Sequence, residues 1–330
     1  MIGPSATAKK DRTPLENKIL ITGGAGFIGS NFVKLLLKNS DYDEILILDK
    51  LTYAGNLDNL QGALNNERVR FFKGDIADPD DVERALENCR HVINFAAETH
   101  VDRSLAESNP FIRSNILGVH TLMEKARDFP LEKFIHISTD EVYGPIMEGS
   151  AHENSPLNPS SPYSASKVAG DALCNAYRVT WNVPTITIRP TNNYGPNQFP
   201  EKLIPFFVKR ALNGQTLPIY GEGDQLRDWL FVEDSCRAIK LVLDHGEIGE
   251  IYNIGADCHK KNIEIAHTLL QILALPDDRI EHVDDRLGHD FRYAVDSTKI
   301  RNLGWKSEIG FEEGFEKTVK FFRDKFGGEV

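Results

Sequence analysis

Thr139, Asp140, Glu141, Tyr163 and Lys167 are the residues whose types and spacing could do chemistry in this chain of 330 residues. Tyr163 and Lys167 stand four apart in YSASK, so on a helix both side chains share one face. A phenol with its ordinary pKa of about 10 is a poor base at neutral pH. A neighbouring ammonium favours phenolate and makes the base usable. About twenty residues upstream, after the run FIHIS, comes Thr139-Asp140-Glu141-Val142-Tyr143-Gly144. Thr139 can donate to the same hydroxyl that Tyr163 would deprotonate. Two adjacent carboxyls beside that machinery imply proton transfers beyond those of a simple hydride transfer, since carboxyls in different surroundings can divide acid from base duties. The plainer readings are a chance Y-x-x-x-K on a surface helix and a solvated or capping Asp-Glu pair. The strand end before the pair and the glycine-rich loop upstream favour the functional reading.

The elements that must hold these groups alternate along the chain. Apolar runs predict strands over residues 19–22, 44–49, 69–72, 91–95, 133–138 and 185–189. Helical spacing predicts helices over 30–39, with Phe32, Leu35 and Leu36 on one face, and over 79–89, 115–128 and 163–181. Short apolar strands separated by helices indicate a parallel sheet covered on both faces, an α/β doubly wound Rossmann-type fold. After about Pro190 the texture changes to turn-forming residues over 192–200. Helices over 203–213 and 234–245 and strands over 217–220 and 251–254 follow. The expected division is a disordered leader over 1–17, a Rossmann-type cofactor domain over 18–190, and mainly a smaller C-terminal lobe over 191–330 closing over it, with parts of about 229–255 returning to the first domain; the lobe's role in binding a nucleotide sugar is implied only by the resemblance given below.

Gly23-Gly24-Ala25-Gly26-Phe27-Ile28-Gly29 lies between a predicted strand and helix, where glycines allow a tight turn and close approach to a pyrophosphate. Asp49 ends the second strand twenty residues past Gly29 and can accept from ribose hydroxyls, which favours NAD over NADP; Lys50 beside it tempers that preference. The positive nicotinamide would add to the pull on the Tyr163 phenol. Asp75 can reach an adenine amino group or cap the helix that follows. Ala96 and Ala97 leave room for the nicotinamide half at the sheet's carboxyl edge.

Composition excludes other classes. A net charge of −11 without a Lys/Arg block argues against a nucleic-acid surface. Cys89, Cys174, Cys236 and Cys258 are scattered, which fits free thiols in a reducing, cytoplasmic setting and no zinc site. No apolar stretch reaches the roughly 18 residues of a membrane span.

The chain resembles the extended short-chain dehydrogenase/reductase family and, within it, the dTDP-glucose 4,6-dehydratases. The resemblance runs from about Lys18 to the last helix. It is carried by TGGAGFIGS, FAAETHVDRS, STDEVYG, YSASK, NNYGPNQFPEKLIP, RDWLFVED, YNIG and DRLGHDFRYA. TGGAGFIGS and YSASK are shared with sugar epimerases; TDE, EKLIP and the GHDFRYA block point to the dehydratase. The resemblance implies an NAD-dependent hydro-lyase, a homodimer through a helical interface, and catalytic roles for Thr139, Asp140, Glu141, Tyr163 and Lys167. For cofactor binding it implies Gly23, Gly26, Phe27, Ile28, Gly29, Asp49, Lys50, Thr52, Asp75, Ile76, Ala96, Ala97, Thr99, Ser114, Tyr163, Lys167 and Asn193. For the substrate it implies His100, Thr139, Asn192, Lys202, Leu203, Pro218, Tyr220, Arg227, Asn262, Arg286 and His289. His136 reads as structural, as does His100 by residue type alone. Arg227 and Arg286 suit a diphosphate, since guanidinium forks match phosphate oxygens, or a surface ion pair. Two positions depart from the family pattern: Leu287 stands where proline is usual, and Thr99 where serine is common. UDP-glucose dehydratases and NAD-dependent epimerases are the alternatives, and a non-catalytic NAD-binding protein is the reading from another class.

Overall fold

The computed structural model describes residues 16–286 and 288–327. The expected leader therefore falls almost wholly outside the described residues, as does Leu287. Twelve strands are described: β1 Lys18–Thr22, β2 Glu44–Asp49, β3 Val69–Lys73, β4 His91–Asn94, β5 Lys133–Ile137, β6 Thr185–Pro190, β7 Asn192–Tyr194, β8 Leu217–Tyr220, β9 Leu226–Phe231, β10 Ile251–Ile254, β11 His259–Lys261 and β12 Ile280–Val283. Seven form one parallel sheet in the order β10-β6-β5-β4-β1-β2-β3. The order reverses between β1 and β4, and ligands bind in such sheets beyond the strands' carboxyl ends at that switch point.

Alternation along the strands builds a core on each face. Ile19, Ile21, Ile45, Ile47, Ile93 and Ile135 meet the helices Phe27–Asn39 and Val232–His245 on one side. Leu20, Leu46, Leu48, Val92 and Phe134 meet Pro79–Leu86, Val119–Ala126 and Pro162–Trp181 on the other. A separate core joins Leu203–Leu212, Asn262–Ile272 and Phe311–Phe326 to Tyr194, Trp229 and Phe231. Beside it run the small sheets β11-β9-β7 and β12-β8.

The helix that carries Tyr163 has a firmly set start. Ser161 accepts from the Ser164 N–H while Ser164 Oγ accepts from the Ser161 N–H, and Pro162 occupies the first turn. Such a cap is worth about 1 kcal/mol. The helix stops at Asn182 in the left-handed region (φ 58°).

Two predicted segments are corrected. The helix expected over 115–128 starts earlier, at Asn109–Phe111, runs through a π-helical stretch Ile112–Gly118, and continues as Val119–Ala126. The widened turn carries Asn115, whose amide bonds the Glu98 backbone in both directions and the Ser166 hydroxyl. Within 192–200, Asn192–Tyr194 pairs with β9 rather than remaining loop, because β9 offers a parallel edge. The short strands β9, β11 and β12 also went unforeseen.

Candidate active site

At the carboxyl edge of the seven-stranded sheet lies a cavity of about 720 Å³ lined by all the expected catalytic residues and all the expected cofactor residues. The turn after β1 closes against backbone. Gly23 has φ +67°, and a Cβ there would lie 2.5 Å from the Ala96 nitrogen; one at Gly29 would lie 2.4 Å from the Gly23 carbonyl oxygen. Only hydrogen fits at either position, and the helix Phe27–Asn39 begins at the cavity wall. Asp49 braces the turn, accepting from the Ala25 N–H at 2.9 Å and the Leu51 N–H at 2.8 Å. Asp75 is not the cap of the next helix; Asp78 is. Asp75 instead pairs with Lys50 at 2.9 Å and Arg113 at 3.0 Å, all three lining the cavity. Across the cavity, Asn192 and Asn193 each keep a buried side-chain oxygen without a partner. A glycine turn at a helix start, a braced acidic residue and unpartnered acceptors are a donor and acceptor set that fits a dinucleotide.

The reactive groups sit on β5's end and on the helix Pro162–Trp181. Thr139 caps a single turn, Asp140–Tyr143, its Oγ1 accepting from the Glu141 N–H at 3.3 Å. Its hydroxyl also donates to Asp140 Oδ1 at 3.2 Å. Burial, with the Glu141 charge second, pushes the Asp140 carboxyl up to about 8. Asp140 Oδ2 is buried without a partner. Burial also raises Glu141, but Lys202, Arg227 and Arg286 pull it back toward the charged form.

One expectation is corrected. In the protein alone, burial and then Glu141 push the Tyr163 phenol above its usual range. The Lys167 ammonium is instead committed to the Ile137 carbonyl at 2.7 Å, and burial lowers its pKa to about 8. His136 is fully buried, kept neutral by burial, and hydrogen-bonded to Asn94, in keeping with a structural role.

The expected substrate residues are only partly gathered. Thr139, Asn192 and Lys202 line the cavity; His100, Leu203, Pro218, Tyr220, Arg227, Asn262, Arg286 and His289 lie outside its lining. His100 accepts the Arg103 N–H at a helix start. Leu203 opens the helix after Lys202, and Asn262 faces Gln225. Pro218 and Tyr220 lie on β8, with Tyr220 edge-on to His289. Arg227 donates to the Leu226 and Phe291 carbonyls from Nη1 and to the Asp290 carbonyl from Nη2, and stacks on Tyr293. It thereby pins the segment that carries Arg286 and His289. Arg286 pairs with Asp102 at 2.6 Å, and His289 with Asp285 at 2.6 Å.

Sequence reasoning missed Glu98, Arg113, Gln198 and Phe199, which also line the cavity. Gln198 and Phe199 lay inside a quoted motif and could have been taken from it; Arg113 carried no local signal. Among the described residues no group of three or more His, Cys, Asp or Glu could hold a metal ion.

The sheet, the glycine turn and the Thr/Asp/Glu/Tyr/Lys set gathered in the cavity define an enzyme of the short-chain dehydrogenase/reductase class. The sequence model of the family described as GDP-mannose 4,6 dehydratase matches residues 20–318, and the chain belongs to that family. It is 49% identical over 304 residues to the low-salt glycan biosynthesis protein Agl12 of Haloferax volcanii, covering 92% of this chain and 98% of that protein. It is 47% identical to a dTDP-glucose 4,6-dehydratase of Streptomyces niveus, covering 93% of each. The crystal structure of DesIV, a dTDP-glucose 4,6-dehydratase of Streptomyces venezuelae with NAD bound, superposes with a TM-score of 0.92 at 45% identity, covering 94% of this chain and 98% of that one.

Proposed function

We propose that this chain is a dTDP-glucose 4,6-dehydratase, forming dTDP-4-keto-6-deoxyglucose. The observation that carries the reading is the Asp140–Glu141 pair beside Tyr163 in one cavity. An epimerase needs the base and the hydride acceptor but no acid and base for a C–O bond. Gly23 to Gly29 would hold a pyrophosphate, Asp49 a ribose, Asp75 the adenine, and Ala96 and Ala97 the nicotinamide half. NAD, when bound there, accepts the C4 hydride and returns it to C6, ending as it began.

The residues then divide the protons. Tyr163 takes the proton of the sugar's 4-hydroxyl, with Thr139 beside it in the same cavity. The resulting ketone acidifies the C5–H, and Glu141, drawn toward its ionised form by Lys202, Arg227 and Arg286, removes that proton. Asp140, with its carboxyl near 8, is neutral at pH 7 and can protonate the departing 6-hydroxyl. Lys202, bonded to the Thr99 carbonyl, Arg286 and His289 are the proposed diphosphate partners, with Arg227 holding their segment.

The same reading assigns 18–190 mainly to NAD and 191–330 mainly to the nucleotide sugar; β10 beside β6 supports the return of 251–254 to the first unit. Ile112, Leu117, Val179 and Trp181, exposed on adjoining helices, support a homodimer. Free cysteines support a cytoplasmic setting, and no described helix is long and apolar enough to cross a membrane. NMR of the product tests the chemistry. A C6 methyl and a C4 carbonyl are expected, whereas an intact C6 hydroxymethyl with C4 inverted would assign an epimerase.

A further inference from the structure

Buried polar residues outside the cavity lining tie the turn that carries Asp140 and Glu141 to the helix that carries Tyr163. Asp140 and Glu141 open the single turn Asp140–Tyr143, and Tyr143 closes it. A lone turn of this length makes too few hydrogen bonds to hold its own orientation, so its ends must be anchored. Thr139 caps the start. The end is held by the Tyr143 phenol, which accepts from Arg189 Nη1 at 2.7 Å and donates to Asn253 Oδ1 at 2.8 Å. Arg189 and Asn253 are register partners on β6 and β10. Arg189 Nε donates to Asp171 Oδ2 at 2.9 Å. Asp171 follows Tyr163 and Lys167 at helical spacing on the helix Pro162–Trp181, so the three share a face. One guanidinium therefore bridges the turn with the acid–base pair and the helix with the phenol base.

The bridge is buried and specific. Tyr143, Asp171, Arg189 and Asn253 are 3%, 6%, 3% and 0% exposed, and none of them lines the cavity. Both roles of the phenol are used, one donating and one accepting, which fixes its place. Arg189 also lies over the Tyr143 ring, 4.9 Å from its centre. Asn253 Nδ2 donates to the Ala151 carbonyl at 3.1 Å and Arg189 Nη1 to the Glu153 carbonyl at 3.3 Å, so the chain between turn and helix is held by the same groups. Asp171 Oδ1 makes no hydrogen bond and lies 3.7 Å from His136 Nε2. Burying an ion pair costs desolvation that an apolar core would not, whereas a bonded polar network selects one arrangement of the parts it joins.

We infer, resting on the dehydratase reading, that Tyr143 is a positioning residue for the loss of water: through Arg189 and Asp171 it keeps Asp140 and Glu141 in register with Tyr163. Oxidation at C4 needs Tyr163 and NAD, whereas elimination across C5 and C6 needs the turn as well. A loosened turn slows the second stage and spares the first.

Tyr143→Phe removes one oxygen and keeps the ring on Arg189. The compound dTDP-6-deoxyglucose separates the stages. Its O4 proton goes to Tyr163 and its C4 hydride to NAD, and with no oxygen on C6 the reaction stops there. Formation of reduced nicotinamide from that compound should keep the wild-type rate in Tyr143→Phe. With dTDP-glucose, kcat should fall about 10- to 100-fold, as a small misplacement of reacting groups costs, while KM and NAD content hold and reduced nicotinamide builds up during turnover. Equal slowing with both compounds would place the effect on the base helix, and an unchanged kcat would leave the network with packing alone; either result overturns the inference. Should Tyr143→Phe not fold, Asn253→Ala removes the phenol's acceptor and leaves Arg189 on it. The same split between the two compounds is expected there, and its absence overturns the inference as well. A wild type that forms no 4-keto-6-deoxy product would instead sink the dehydratase reading itself.

Discussion

The part of the cavity proposed for the cofactor is made by consecutive strand–loop–helix units ending near Ala97, whereas the segment proposed for the diphosphate lies beyond the cavity lining and joins Asp102 to Arg286 across 184 positions of chain. The first rests on backbone. Gly23 and Gly29 leave no room for a Cβ, and Asp49 is braced by two N–H groups. The second rests on the charges of Arg286, paired with Asp102, and of Lys202, bonded to the Thr99 carbonyl, with His289, its pKa lowered by burial, hydrogen-bonded to Asp285. Steric closure cannot be exchanged for a ligand, but an ion pair can open to accept a diphosphate of the same sign as its carboxylate. The region proposed for the cofactor is thus suited to keeping its ligand, and the region proposed for the diphosphate to exchanging it. Tyr163, Asp140 and Glu141 stand where the two ends meet.

The sharpest break is at that junction. Tyr163→Phe should cost about 10³- to 10⁴-fold in kcat while NAD stays bound, as read by cofactor content after gel filtration. Glu141→Gln should cost about 10²- to 10³-fold and stall after oxidation, with reduced nicotinamide building up in the absorbance spectrum. A variant that slows without that build-up would remove Glu141 from C5.

The two ends should then separate. Gly29→Ala forces a side chain into the Gly23 carbonyl and should leave the protein without bound NAD, at any sugar concentration. Arg286→Ala loses a charge-assisted contact of about 1.5–3 kcal/mol, so KM for the nucleotide sugar should rise about 10- to 100-fold with NAD content unchanged. If Arg286→Ala also shed NAD, the contrast between the ends would collapse. The smallest effect is on pH. Asp140 acts in its protonated form and its raised pKa is about 8 in the protein alone, so kcat/KM should be level below that value and fall as pH rises through it. A limb falling toward low pH near 8 would mean that the carboxyl acts as a base.

The same contrast explains what was legible in sequence. Local motifs hold the cofactor end, so GGAGFIG and Asp49 could be assigned from spacing, and the strands over 44–49 and 217–220 match the structure residue for residue. The π-helical stretch was not legible, because its cause is the pairing of Asn115 with Glu98 and Ser166, contacts made only after folding. Lys167 was read as a partner of the phenol from its i+4 spacing, but β5 brings the Ile137 carbonyl within reach of its ammonium. Arg227 shows the same limit: its residue type suggested a phosphate, and its bonds to the chain returning at Asp290 and Phe291 carried no local signal.

The most direct test of the account is to incubate the purified protein, without added NAD, with dTDP-glucose and separately with UDP-glucose, and follow the products by mass spectrometry. Loss of one water from dTDP-glucose is the predicted result. Water loss from UDP-glucose alone would contradict the substrate assignment, and an isomer of unchanged mass would contradict the dehydratase itself.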